Sequence, residues 1–138
     1  VDGGTNFNET LILAKTLKEL GIDIIDCSSG GIKGSPTLAT KKIIPGFQVP
    51  FSERIRKESK NMTMAVGAII DHQQAENIVL KVRADLVAIG RELLADTQWV
   101  YRAASKLVPS KAGNFLPASY SFYLSRRDKW LDRNEDPA

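Results

Sequence analysis

A single cysteine, Cys27, in 138 residues leaves no internal disulfide to form, and a reducing, cytoplasmic setting is expected. A single histidine, His72, falls short of the several ligands a metal site needs, and a place on the surface at a helix terminus suits it better. No apolar run approaches the roughly 18 residues of a membrane span, so no membrane partner is expected. Basic residues outnumber acidic ones, 19 to 16, but the signs are mixed, as in Ser52-Glu53-Arg54-Ile55-Arg56-Lys57-Glu58. Without a basic stripe interleaved with aromatics, nucleic-acid binding has no support. Val1-Asp2-Gly3-Gly4 has no basic and then apolar leader and no initiator Met. No signal peptide is therefore read there, and the chain is expected to begin upstream in a longer protein. Neither an internal repeat nor a low-complexity segment is evident.

What is present is an alternation of helix and strand. The balance of 43% hydrophobic and 25% charged residues fits one soluble domain with a modest core. Residues Glu9 to Leu20 carry Leu13, Leu17 and Leu20 at helical spacing, with Gly21 as the stop. Ile22 to Cys27 is short and β-branched, a strand that ends in Ser28-Ser29-Gly30-Gly31. Residues Ile32 to Pro50, broken by Pro36, Pro45, Gly46 and Pro50, read as a long loop. A short helix carries Phe51 and Ile55, with Ser52 as its cap. Met62 to Ile70 reads as a second strand, and Asp71 with Gln74 as a capping box. The helix that follows would bury Ala75, Ile78, Val79 and Val82. Asp85 to Ile89 is a third strand, followed by Gly90-Arg91 and a helical turn through Leu94. Asp96 or Thr97 would cap a last helix bearing Val100, Ala103, Ala104 and Leu107, which Pro109 ends. From Ser110 onward the tail reads as an arm.

Strands this apolar are expected to be buried on both faces, in a parallel sheet covered by helices. Two architectures remain: an open doubly wound sheet, or part of a (β/α)8 barrel, since three strands cannot close a barrel that takes ~250 residues.

Ligands in such folds bind at the carboxyl ends of the strands. Gly90 lets the backbone approach a ligand, and the amides that open the next helix favour an anion. Arg91, a cation at a positive helix end, is disfavoured there unless something negative is bound, and its guanidinium matches phosphate oxygens. Gly67 and Gly90-Arg91 would form a phosphate corner if their strands are a barrel's last two. The bland alternative is a turn glycine and a surface arginine. Ser28 and Ser29 read as hydrogen-bond donors to a ligand or as turn residues. Cys27 reads as a buried small hydrophobe rather than a nucleophile. Asp23 and Asp26, at i and i+3 of a strand, face opposite sides and form no acid–base pair.

Taken together, Leu20 to Gly31, Pro45-Gly46-Phe47-Gln48-Val49-Pro50-Phe51, Ala65-Val66-Gly67 and Arg83 to Asp96 resemble the old yellow enzyme family, in the branch of xenobiotic reductases and thermophilic-type ene-reductases. The likeness runs through most of residues 8 to 125. It implies an α/β fold, the carboxy-terminal half of a (β/α)8 barrel over residues 1–109, with residues 110–138 as an arm. It also implies FMN as cofactor, NAD(P)H as reductant and an enone-type small molecule as substrate. By this resemblance Gly67, Gly90 and Arg91 hold the flavin phosphate, and Ser29, with Ser28 and Gly30 beside it, touches the ribityl side. The loop from Ile32 to Phe47 lines the substrate entrance.

The tail Leu116-Pro117-Ala118-Ser119-Tyr120-Ser121-Phe122-Tyr123 is similar to the arm by which one subunit of a homo-oligomer reaches its neighbour's active site. Phe122 or Tyr123 would do so here. The family's catalytic groups lie in its first half, which these residues do not include, so this chain would anchor the cofactor without catalysing. Two further readings stand beside this one: a sugar-phosphate barrel enzyme using the same corner, and a truncated, non-catalytic half-barrel that binds partners.

Overall fold

The computed structural model describes residues 3–30 and 44–134. The chain divides into two compact units, Val1–Gly90 and Arg91–Ala138.

In the first unit, α1 (Phe7–Glu19) begins two residues earlier than the leucine spacing predicts. Asn6 accepts from the Glu9 amide, and Glu9 accepts from the Asn6 amide at 2.8 Å. This reciprocal box satisfies donors that the first turn leaves open. The helix stops at Gly21 (φ +85°), where Gly21 N–H donates to Lys18 O and Ile22 N–H to Leu17 O. That left-handed residue is what a glycine supplies at a helix end. The buried face is Leu11 and Ala14, while Leu13 and Leu20 are exposed, so the expected stripe is corrected. Phe7, Leu11 and Ala14 form a second series at helical spacing, and that series meets the sheet.

Three strands follow the chain in order: β1 (Ile24–Cys27), β2 (Met62–Ala65) and β3 (Leu86–Val87), all parallel. Ile24 lies opposite Met62, and Ala65 opposite Val87. Each strand is shorter than its apolar run. Helix α2 (Val49–Ser59) connects β1 to β2, and α3 (His72–Leu80) connects β2 to β3. Sequential strands with crossover helices match a barrel segment rather than a doubly wound sheet, whose strand order reverses at a switch point.

One face of the sheet is buried and the other only partly covered among the described residues, with Ile24 and Met64 half-buried. Cys27, Thr63 and Ala65 are buried, and Ile25 and Val87 pack against the core. On the alternate positions Met62 and Leu86 are about half exposed, at 52% and 50%. The expectation of burial on both faces is therefore not met among the described residues. Side chains alternate across a strand, and the apolar residues of the open face are those that would point into a barrel's interior.

Two apolar clusters hold the unit. Val49, Ala65, Ile69, Ile78 and Ala84 form one; Leu11, Ala14, Cys27 and Ile55 form the other. Helix α2 contributes to both. Its first residue is Val49 after Gln48, so Ser52 is not its cap. Ser52 is wholly buried, and its hydroxyl lies 2.8 Å from Val49 O and 3.2 Å from Arg83 O. Asp71 does cap α3, accepting from Gln74 N–H at 2.9 Å, but the Gln74 side chain accepts from Ile70 rather than from Asp71. Val82 lies past the helix end at φ +58°, where Arg83 N–H returns to Ile78 O. Val82 and Val79 are exposed, and Ile78 with Ala75 makes the packed face.

The second unit is helical: α4 (Arg91–Ala95), α5 (Trp99–Leu107), a 3-10 segment (Pro109–Phe115) and α6 (Ala118–Asn134). Gln98 rather than Asp96 or Thr97 precedes α5 as its cap residue, and Asp96 instead accepts from Gln98 N–H and pairs with Arg102 at 2.6 Å. The tail from residue 110 is thus the rest of the 3-10 segment, in which Ala112 is buried, followed by the 17-residue α6, which has no buried residue. Tyr101 donates to Asp128, and Gly113 faces the Ser121 hydroxyl so closely that a Cβ would stand 2.5 Å from it.

Candidate functional site

The register places Cys27, Ala65 and Val87 at one level of the sheet. The segments that follow them, Ser28–Gly30, Val66–Ala68 and Ala88–Gly90, therefore leave from the same end. Ala88 N–H extends the ladder by donating to Ala65 O at 2.8 Å. Gly67 and Gly90, two of the expected cofactor contacts, thus close adjacent strands. Neither glycine's N–H donates to another described residue. Two amides without a protein acceptor at the ligand end of a parallel sheet can bind an anion.

Gly67 is required by its own surroundings. It sits at φ +114°, and a Cβ there would stand 2.8 Å from Gln48 Nε2 and 3.0 Å from Phe47 Cε1. Its carbonyl accepts from Gly46 N–H at 3.0 Å, which draws the turn before α2 onto this end of the sheet. Gly90 is exposed, with open space where a Cβ would be.

Gln48 is the residue that sequence reasoning missed. It is 5% exposed. Its Oε1 accepts from both Ser29 N–H and Ser29 Oγ–H, the latter at 2.9 Å, and its Nε2 donates to Val66 O at 3.4 Å. The Ser29 amide is only a donor, so it must face Oε1, and the orientation of the Gln48 side chain follows from the network. Gln48 thereby ties the loop after β1 to the turn after β2. The available signal was a lone glutamine between Phe47 and Val49 at a helix start; a buried polar group needs a partner.

Ser29 therefore does not offer the donors expected of it. Both are engaged by Gln48, and its oxygen lone pairs remain. Ser28 and Ser29 line a cleft of about 290 Å³ together with Asn6, Phe7, Cys27 and Phe51. A larger cleft, about 460 Å³, lies at the amino end of β2, among Lys57, Lys60, Asn61, Met62 and Asp85. We favour the smaller, because ligands of parallel α/β sheets bind at the carboxyl ends.

Arg91 follows Gly90 directly and opens the five-residue α4. It is exposed, and its side chain makes no ion pair or hydrogen bond among the described residues. Cys27 is 3% exposed, and burial, then the Asp26 charge, push its thiol up to about 11. A neutral buried thiol is no nucleophile. His72 is the first residue of α3, beside Asp71. Asp23 and Asp26 are exposed. No cluster of metal-ligating residues occurs among the described residues, and none of their helices is long and apolar enough to cross a membrane. Of the loop from Ile32 to Phe47, expected at a substrate entrance, residues 32–43 lie outside the described residues.

In the second unit Phe122 and Tyr123 are exposed on α6, at 55% and 71%. Their rings meet edge to face at 5.2 Å, and the Arg126 guanidinium lies 4.9 Å over Phe122.

Residues 1–109 match the family described as NADH:flavin oxidoreductase / NADH oxidase. The chain is similar to proteins named NADPH dehydrogenase. It is 41% identical over 119 residues to that of Halalkalibacterium halodurans, covering 86% of this chain and 33% of the relative. It is 43% identical over 106 residues to that of Bacillus subtilis, covering 77% and 30%. It is 36% identical over 119 residues to that of Listeria monocytogenes, covering 86% and 33%. The chain thus spans about a third of the length of the curated relatives it matches.

Proposed function

The chain belongs to the NADH:flavin oxidoreductase / NADH oxidase family, and from that premise we propose that it forms the FMN-binding corner of an FMN-dependent NAD(P)H oxidoreductase of ene-reductase type. The observation that carries this reading is the pair of unengaged amides at Gly67 and Gly90 on adjacent strand ends, with the unpaired Arg91 next in the chain. Free backbone amides of this kind suit a phosphate, and a guanidinium is a fork that matches its oxygens. The loop Ser28–Gly30, at the same end of the sheet, suits the ribityl side.

When bound, FMN supplies the hydride chemistry, from NAD(P)H to an activated C=C bond such as that of an enone. The residues of this chain hold and orient it. Ser28, Ser29, Gly30, Gly67, Gly90 and Arg91 are binding groups, and these residues alone do not complete a catalytic cycle. The open face of the sheet, with Met62 and Leu86, supports closure by further barrel strands. The exposed pair Phe122 and Tyr123 supports a homo-oligomer in which α6 contacts a neighbouring subunit.

The test is Arg91→Ala in the full protein. Loss of one charge-assisted contact should cost roughly 1.5–3 kcal/mol, or about ten- to a hundredfold in FMN affinity, read by flavin fluorescence titration. Unchanged FMN affinity would refute the assignment of Arg91 to the phosphate.

A further inference from the structure

We infer that Gln48 is a positioning residue that turns Ser29 into a hydrogen-bond acceptor only, so that the loop after β1 selects a ligand hydroxyl. The inference rests on the flavin reading and specifies how its polyol would be recognised.

The argument is one of donors and acceptors. Ser29 has two donors, its N–H and its Oγ–H, and both are directed at Gln48 Oε1. A carbonyl oxygen has two lone pairs, so a single Gln48 oxygen satisfies both. What Ser29 can still present is the lone pairs of Oγ, and Ser29 lines the 290 Å³ cleft. Lone pairs attract an O–H or N–H and repel a phosphate or carbonyl oxygen. An anion therefore finds its donors at Gly67 and Gly90, and an alcohol finds its acceptor at Ser29. The two loops divide the ligand by chemistry, a charged end and a hydroxylated chain.

Gln48 can enforce this because it cannot turn. It is buried, its Nε2 reaches Val66 O, and the bare Cα of Gly67 lies against that nitrogen. Reversing the amide would set Nε2 against the Ser29 N–H, donor against donor. A buried unmatched pair of this kind costs the desolvation of both groups.

The test compares riboflavin, which carries the hydroxylated chain, with lumiflavin, which lacks it, on the full protein. In Gln48→Leu, amide exchange at Ser29 should accelerate, riboflavin affinity should fall about five- to tenfold for one lost neutral hydrogen bond, and lumiflavin affinity should hold. Ser29→Ala should produce the same riboflavin loss, and the double variant should lose no more than either single one, because the two residues act as a unit. Should Gln48→Leu fail to fold by circular dichroism, Gln48→Glu serves. Buried and neutral, it keeps an acceptor for Ser29 and a donor for Val66, and should retain both the slow exchange and the riboflavin affinity.

Equal losses for riboflavin and lumiflavin, additive losses in the double variant, unchanged Ser29 exchange in Gln48→Leu, or a Gln48→Glu as impaired as Gln48→Leu would each overturn the inference. An unsubstituted protein whose Ser29 amide is protected but which binds neither flavin would instead overturn the flavin reading, and the hydroxyl assignment with it.

Discussion

Replacing Asp85 by alanine should lower the stability of the first unit by several kcal/mol at neutral pH. The Asp85 carboxylate accepts from Arg56 Nε and from a second guanidinium nitrogen, each at 2.9 Å, and from Thr63 N–H at 2.9 Å. The Asp85 backbone N–H donates in turn to Thr63 O, so one residue stitches the start of β3 to the middle of β2. Thr63 is wholly buried. An unpaired N–H there should cost about 1–3 kcal/mol. The ion pair contributes less, because the Arg56 side chain is 33% exposed and that of Asp85 18%; discounted for screening it is worth about 0.5–1 kcal/mol.

Together the loss is about 1.5–4 kcal/mol, and urea unfolding at pH 7 should show a midpoint lower by about 0.5 M or more, given slopes of about 1–3 kcal/mol per M. The pH dependence is signed. Hydrogen bonds from the Arg56 guanidinium, then from the Thr63 amide, hold the Asp85 carboxyl below the ordinary carboxylate range. The unfolded chain therefore binds the proton more readily, so this stability is present above about pH 4 and is lost as pH falls through the lower, folded value. Asp85→Ala should thus converge on the parent protein in acid. A variant within about 0.5 kcal/mol of the parent at pH 7, a deficit expected only of surface sites, would refute the reasoning, as would a deficit that persists undiminished in acid.

Two further outcomes are expected. Gly67→Ala should destabilise the unit by about 1–3 kcal/mol through strain at positive φ, with the added Cβ driven toward Gln48 Nε2; an unchanged urea midpoint would show that the turn relaxes. Cys27, buried with its thiol at about 11, should resist a thiol-specific reagent at pH 8 in the native protein and react once urea unfolds it; fast native labelling would contradict its placement.

The order of elements was legible in the sequence because breakers punctuate it: Gly21 ends α1, and Asp71 opens α3. Faces were less legible. Leu13, Leu17 and Leu20 formed as good a helical series as Phe7, Leu11 and Ala14, and only the packing of β1 and α2 decides between them. Val82 kept the helical spacing of its neighbours but lies beyond the helix end and is itself left-handed, at φ +58°. Strand length failed for another reason. Met62 to Ile70 is apolar but for Thr63, yet only Met62–Ala65 pairs, since apolarity records burial and not hydrogen bonding. At the candidate site the two glycines were visible as punctuation after strands, and the sheet register accounts for their shared end. Gln48 was not visible, because a single polar letter does not disclose that it is buried. Ser29's polarity depends wholly on that neighbour.

Because α2 lends Val49 to one apolar cluster and Ile55 to the other, neither cluster can come apart alone without pulling on the same eleven-residue rod. Gln48 is the residue just ahead of that rod. Anything that loosens either cluster therefore slackens the grip on Ser29, and a ligand that steadies Ser29 would be felt as far away as the packing around Ala14 and Ile78.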